Sequence, residues 1–188
     1  MASMPAEKRQ SVYEEFLAVP DHLVAEIVRG ELRTFPRPAS RHARAASKLG
    51  MRLGTPFDDG EGGPGGWVIL DEPELRMHGH IVVPDLTGWR RERMPEMPDV
   101  PFFELAPDWI CEVLSPSTAA HDRADKMPIY AETGVSFAWL LDPIAQTLEA
   151  FTRESKTWCV VGTWRGDARV RVEPFEAMEL ELAALWAR

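Results

Sequence analysis

Two carboxylates in this sequence interrupt or close runs of apolar residues. Asp85 follows the run at 81–84 (Ile-Val-Val-Pro), and Glu112 lies in the middle of the segment 109–114 (Trp-Ile-Cys-Glu-Val-Leu). Apolar runs of this length predict buried β-strands, where a carboxyl group ionises only at a cost unless a cation or hydrogen-bond donors meet it. The two residues together therefore predict a divalent-metal site.

Each carboxylate also has a structural explanation. Pro-Asp at the end of a strand is a common turn in which the aspartate caps backbone donors. Strict alternation along 109–114 places Glu112 on the face that Ile110 and Leu114 share, so that the glutamate stands between aliphatic neighbours and needs a partner. If this strand were at the edge of a sheet, Glu112 would instead face water.

The order of predicted elements is that of a mixed α/β protein. A hairpin is expected around Arg29-Gly30-Glu31, and helices are expected at 40–53 and 121–133. Short strands are expected at 67–70, 75–77, 81–83, 109–114, 137–141, 147–151, 158–163 and 170–172. The segment 88–107 carries four prolines and predicts an irregular, mobile flap.

Composition limits the class of protein. A chain of 188 residues with 45% hydrophobic residues can bury one full core, so one domain over 1–188 is expected. The sequence has no long apolar run and no apolar core near its amino terminus. It therefore predicts no membrane span and no secretory signal, and a cytoplasmic location is expected. The net charge of −9 argues against a protein that coats nucleic acid by bulk electrostatics but allows a local basic track.

The predicted helix at 40–53 has two distinguishable faces. His42 shares an apolar stripe with Leu49 and Leu53, while Arg41, Arg44, Lys48 and Arg52 form a basic stripe about a third of a turn away. The basic stripe is either a solvated surface or a track for a phosphodiester backbone. His42 is accordingly either a core histidine or a residue that faces the carboxylate site.

The helix after Glu112 supplies a further candidate. Asp122, Lys126 and Tyr130 are spaced four residues apart and therefore occupy one helical face. Lys126 can either pair with Asp122 at the surface or reach the predicted metal site.

Read in order, these motifs resemble the Uma2 family, formerly DUF820, which is grouped with the restriction endonucleases of the PD-(D/E)XK superfamily. The similarity extends over 13–183 and is carried by Pro84-Asp85, 109–118, Asp122, Lys126, Tyr130, Gly134-Val135 and 139–143, with His42 and 25–32 similar to the amino-terminal part. The resemblance implies an α/β (mixed α+β) fold whose central mixed sheet is flanked by helices. It also implies metal-dependent hydrolysis of phosphodiester bonds, with DNA as the expected substrate.

The resemblance further implies roles for individual residues. Mg²⁺, or Mn²⁺ in its place, would be held by Asp85, Glu112 and the carbonyl of Val113. Leu114 stands where the superfamily carries a lysine, so Lys126 is expected to act as a migrated catalytic lysine. His42 is expected to take the place of a helical glutamate. Apart from the resemblance, the hairpin offers two further acidic contributors, Glu26 and Glu31; alternation and the tight turn predict that one of them faces water, and Glu31 is expected at the site. Phosphate contacts are expected from Arg41, Arg44, Lys48, Arg90, Arg91 and Arg93.

Two functions of different classes remain open at this point. The first is a Mg²⁺-dependent endodeoxyribonuclease, for which a homodimer is expected because many nucleases that cut duplexes are dimers. The second is a catalytically inactive protein that uses the nuclease fold to bind a partner or nucleic acid. The missing lysine beside Glu112 and the net negative charge favour the second.

Overall fold

The computed structural model describes residues 11–186. Its helices and strands are α1 (Val12–Leu17), β1 (Val24–Val28), β2 (Glu31–Phe35), α2 (Ser40–Leu53), β3 (Trp67–Asp71), β4 (Leu75–Met77), β5 (His80–Val82), β6 (Leu86–Arg90), β7 (Trp109–Val113), α3 (Ala119–His121), α4 (Met127–Thr133), β8 (Phe137–Asp142), β9 (Thr147–Glu154), β10 (Thr157–Arg165), β11 (Arg169–Val170) and β12 (Leu180–Glu181). Two π-helical turns, Gly54–Asp58 and Asp122–Lys126, follow α2 and α3. Within this range, every helix is too short or too polar to cross a bilayer.

A six-stranded mixed sheet forms the centre of the fold. Its order is β10-β9-β8-β7-β6-β3, and all neighbours are antiparallel except β7 and β8. Parallel neighbours need a crossover connection, and α3, the second π-helical turn and α4 supply it. The predicted α/β fold with a central mixed sheet flanked by helices is confirmed.

The central strand β7 separates two apolar layers by strict alternation. Cys111 and Val113 pack on the side that contains Leu49 of α2. Ile110 packs on the opposite side with Tyr130 of α4. Because β7 lies between β6 and β8 and Glu112 is only 2% exposed, the edge-strand alternative for Glu112 is wrong.

A second, antiparallel sheet of order β2-β1-β5-β4 packs beside the first. The predicted hairpin joins β1 and β2 through Arg29 and Gly30, which have φ values of 53° and 79°. Two successive positive φ values match the twist that a two-residue hairpin requires. β2 is an edge strand and β1 an interior strand, a difference that decides which hairpin glutamate becomes buried.

The segment 88–107 is irregular beyond Arg90, but it is packed rather than a free flap. Trp89 is fully buried in β6, and its indole N–H donates to the carbonyl of Leu105 at 2.9 Å. The side chain of Met94 is buried in the same apolar layer, and the amide of Phe103 donates to the carbonyl of Glu74. Apolar side chains between the prolines therefore hold the segment against the sheets.

Candidate active site

A cavity of about 290 Å³ lies where β6 begins and β7 ends. Because the two strands are antiparallel, the residue before β6 and the last residues of β7 meet at the same edge of the sheet. The other walls are formed by β1, the loop between β2 and α2, the first turn of α2, the segment 115–118 after β7 and the second π-helical turn. The buried or half-buried titratable side chains that line it are Glu26, His42, Asp85, Glu112, His121, Asp122 and Lys126.

Asp85 is oriented by two contacts. Its Oδ2 accepts a hydrogen bond from the amide of Val113 at 2.7 Å, and its Oδ1 lies 3.2 Å from Nε2 of His42. Burial lowers the pKa of His42, but the hydrogen bond and charge of Asp85 outweigh it and raise the pKa above its usual value. Nδ1 of His42 is buried without a hydrogen-bond partner among residues 11–186, so this ring uses one nitrogen to hold Asp85.

Glu112 has one occupied and one available carboxylate oxygen. Oε1 accepts a hydrogen bond from the Tyr130 hydroxyl at 2.5 Å and forms an ion pair with Nζ of Lys126 at 2.9 Å. No hydrogen bond or ion pair within residues 11–186 involves Oε2. Burial raises the pKa of Glu112 well above its usual value, Lys126 lowers it, and the negative charges of Asp122 and Asp85 raise it further.

Lys126 is buried at the back of the cavity, where its ammonium group contacts three oxygen atoms. Nζ lies 2.8 Å from Oε1 of Glu26, 2.9 Å from Oε1 of Glu112 and 3.2 Å from the carbonyl of Val83. These contacts match the three protons that an ammonium group can donate. Burial lowers the pKa of Lys126, but the charges of Glu112 and Glu26 raise it well above its usual value, so the group stays protonated.

The second π-helical turn places Lys126 at this position. The amide of Met127 donates to the carbonyl of Asp122, five residues back. Pro128 follows directly, and a proline has no N–H and clashes with the carbonyl one α-helical turn earlier, which favours a wider turn. Asp122, Lys126 and Tyr130 all become buried towards β7.

A second buried glutamate holds Lys126 from the other sheet. Glu26 accepts hydrogen bonds through Oε1 from the amide of Val83 at 2.8 Å, and its Oε2 lies 3.0 Å from Nε2 of His121. Nδ1 of His121 lies 3.0 Å from Oδ2 of Asp125. Burial raises the pKa of Glu26, but the Lys126 charge and the hydrogen bonds of His121, Lys126 and Val83 together lower it to about 2.

The structure places Glu26, and not Glu31, at the cavity. Both residues lie on the hairpin, but the side chain of Glu31 is 73% exposed on the edge strand and lies 3.6 Å from Arg33. Glu26 carries the same sequence signal as Glu112, a carboxylate between Ala25 and Ile27 in an apolar strand. The sequence therefore offers both hairpin glutamates as contributors, and the choice of Glu31 is wrong.

We expect Glu26→Gln to destabilise the fold by about 3 kcal/mol, because it leaves Lys126 and His121 buried without their shared carboxylate. The matched variant Glu31→Gln is expected to change stability by less than about 0.5 kcal/mol, since Glu31 is exposed. Urea denaturation of both variants at neutral pH measures the difference, and equal effects would contradict it. Because the pKa of Glu26 is about 2 in the folded chain and ordinarily 4.5, its contribution is present above pH 4.5 and is lost as the pH falls towards 2.

Three of the cations predicted to contact phosphates lie at the opposite end of β6. Arg90 lies five positions after Asp85 along the strand, which corresponds to a distance of about 17 Å. The Arg90 guanidinium lies over the Trp67 ring, Arg91 pairs with Asp58 at 2.7 Å, and Arg93 pairs with Asp108 at 2.9 Å. These arginines already have partners within the protein, so their location does not favour a role at the cavity.

The other three predicted cations lie along α2, which begins at the cavity and leads away from it. Arg41 and Arg44 are exposed and Lys48 is partly buried, and none of them lines the cavity. Arg44 and Lys48 instead line a second hollow of about 460 Å³, together with Arg52 and Trp186. A contact between these cations and phosphates stays a prediction.

The oxygen atoms in the cavity suit a hard divalent cation. Asp85 and Glu112 lie beside two more buried carboxylates, Glu26 and Asp122, against a single buried lysine. Among residues 11–186, no three histidine, cysteine, aspartate or glutamate side chains converge as a preformed metal cluster. Mg²⁺ commonly binds through only one or two carboxylates and takes its other ligands from water and substrate phosphate, so the donor set fits this ion.

Comparisons with known proteins identify a family and a similar fold. The model of the Uma2 family, described as "Putative restriction endonuclease", matches residues 13–184. No match is found among the curated proteins. Among solved structures, the fold is similar to that of "a putative nuclease belonging to DUF820" from Anabaena variabilis ATCC 29413, with 22% sequence identity, a TM-score of 0.76, and coverage of 93% of this chain and 97% of that chain. At this identity, the likeness shows the fold alone.

Proposed function

Because the chain belongs to the Uma2 family, we propose that it is a Mg²⁺-dependent endonuclease that hydrolyses phosphodiester bonds of DNA. One observation carries the proposal. Asp85, Glu112 and Lys126, which come from three separate elements, meet in one cavity, and Glu112 keeps an oxygen free there. Two carboxylates and a buried cation are the groups that metal-assisted phosphodiester hydrolysis needs.

In this proposal, Asp85, Glu112 and the carbonyl of Val113 hold the ion. When bound, Mg²⁺ supplies a water of lowered pKa and offsets negative charge on the phosphate. His42 keeps Asp85 in position through Nε2, and the Val113 amide fixes the other carboxylate oxygen. Lys126 lies 2.9 Å from Oε1 of Glu112, and its positive charge would offset negative charge that develops on the phosphate.

We expect saturable Mn²⁺ binding by the wild type, measured by titration calorimetry, and its loss in Glu112→Gln. Glutamine keeps an oxygen that accepts from Tyr130 and Lys126, but it removes the negative charge that attracts the cation. Cleavage of labelled DNA is expected to stop in EDTA and to return with added Mg²⁺. Cleavage that persists in EDTA, or unchanged Mn²⁺ binding by the variant, would rule out this site.

A second function, nucleic-acid binding without cleavage, rests on the contacts of Lys126. Glu26, Glu112 and the Val83 carbonyl use all three of its protons, which leaves none for a water or a phosphate in this arrangement. Wild-type protein that binds Mn²⁺ and DNA but does not cleave DNA would favour this alternative.

A further inference from the structure

We propose that Arg37, at the mouth of the cavity, binds a phosphate of the nucleic-acid backbone adjacent to the one that reacts. This inference rests on the proposed function and adds a binding residue that neither the sequence motifs nor the metal site identifies. Arg37 lies in the loop between β2 and α2, and it lines the same cavity as Asp85 and Glu112.

The negative charge of the cavity lining opposes the approach of a phosphate and favours a cation at its mouth. Its lining includes five carboxylates, which belong to Glu26, Glu72, Asp85, Glu112 and Asp122. A polyanion that approaches this opening meets a negative field, which a metal ion deep in the cavity offsets only in part. Substrate entry therefore favours a cation at the rim as well.

Arg37 is the one exposed lysine or arginine among the described residues that line the cavity. The second such cation, Lys126, is 3% exposed and is used by Glu26 and Glu112, whereas the Arg37 side chain is 62% exposed. The predicted cations on α2 and at the end of β6 do not line the cavity. A phosphate that enters the cavity can therefore contact one accessible guanidinium, that of Arg37.

The present contacts of Arg37 leave its guanidinium available. One terminal nitrogen lies 3.7 Å from Oε2 of Glu72, and the other lies 3.5 Å from the carbonyl of Asp21. Both distances are long for hydrogen bonds and both groups are near solvent, so little is lost when they are exchanged for a phosphate. The prolines at 36 and 38 restrict the backbone on both sides and keep the side chain at the rim.

The cavity lining also carries hydroxyl groups that suit the same ligand. Ser115 Oγ lies 3.0 Å from Ser117 Oγ and 3.0 Å from Thr118 Oγ1. Hydroxyls of this kind commonly accompany arginine in contacts with backbone phosphates. The same cavity lining thus offers a guanidinium and a hydroxyl cluster to the strand that carries the reacting phosphate.

The test is binding of a fluorescein-labelled DNA duplex, followed by anisotropy with Ca²⁺ in place of Mg²⁺ over a series of salt concentrations. Arg37→Ala is expected to weaken binding about tenfold, the loss of one charge-assisted contact. It is also expected to reduce the slope of log K against log salt by about 0.9, the value for one lost phosphate contact. Arg37→Lys is expected to keep the slope and to lose part of the affinity, since it retains the charge but not the bidentate fork.

Arg165→Ala is the matched control, because Arg165 is an exposed arginine at the end of the edge strand β10 and does not line the cavity. It is expected to bind like the wild type. Equal binding by Arg37→Ala and Arg165→Ala, or no binding of the duplex by the wild type, would overturn the inference about Arg37.

Cleavage assays with Mg²⁺ on the same proteins separate this inference from the proposed function. Binding that depends on Arg37 without any cleavage by the wild type would overturn the nuclease function and support the phosphate contact. Cleavage by the wild type that Arg37→Ala leaves unchanged in both KM and kcat would support the nuclease function and overturn the phosphate contact. A higher KM with an unchanged kcat is the expected result, because Arg37 contacts substrate away from the reacting phosphate.

Discussion

Asp85→Asn is expected to reduce the rate of DNA cleavage by about 10³-fold, because the loss of a charged metal ligand removes several kcal/mol of transition-state stabilisation. Asparagine retains an oxygen that can accept a hydrogen bond from the Val113 amide, so the contact between residue 85 and β7 is kept. Initial rates on a labelled duplex in Mg²⁺ measure the effect, and circular dichroism confirms that the variant is folded.

Asp108→Asn is a closely matched control for this prediction. Asp108 also follows a proline, precedes β7 as Asp85 precedes β6, and accepts a hydrogen bond from the Arg90 amide at 2.8 Å. It lies at the other end of the same strand pair and does not line the cavity. Its variant is expected to cleave like the wild type, and an equal loss in both variants would mean that the effect of Asp85 is structural.

Lys126→Met is expected to abolish cleavage and also to destabilise the fold by about 3–5 kcal/mol, since Glu26 and Glu112 then stay buried without their cation. Methionine is close to lysine in length and fills the apolar part of the space, so the effect isolates the charge. Urea denaturation measures the stability, and cleavage is measured at a temperature at which circular dichroism shows the variant to be folded. Lys156→Met, in the exposed turn between β9 and β10, is the control and is expected to change neither quantity.

A double variant separates the two roles of Lys126. Glu26→Gln in the Lys126→Met background removes one of the unpaired charges, so it is expected to recover part of the stability. It is not expected to recover cleavage, because the cation beside Glu112 is still missing. Recovery of cleavage together with stability would show that Lys126 is a structural residue only, and this would contradict its proposed role in catalysis.

The fold and part of the site follow from local sequence patterns. The alternation around Glu112 predicts which neighbours share its face, and the apolar spacing in 40–53 predicts that His42 faces inward, because both depend only on the geometry of one strand or one helix. The structure agrees with both, since Glu112 is buried and His42 lies beside Asp85. Glu26 presents the same local pattern as Glu112 and is one of the two hairpin glutamates that the sequence offers as contributors.

Other features depend on contacts between distant segments. The dipeptide Pro-Asp occurs at 20–21, 84–85, 98–99 and 107–108, and only the pairing of β6 with β7 brings Asp85 rather than Asp108 to Glu112. The two strands of the hairpin look alike, and only the position of β1 inside the second sheet buries Glu26 while Glu31 stays exposed. Arg37 lies in a loop without periodicity, which gives it no local signal.

The sequence by itself therefore determined most of the strands and helices, with α1 and β6 among the exceptions, and the inward faces of β7 and α2, because these arise from interactions between residues close in the chain. Tertiary structure alone decided which carboxylates and cations share the cavity. The order of strands in a sheet and the direction of a loop are set by the packing of segments far apart in sequence, and local patterns do not record that packing.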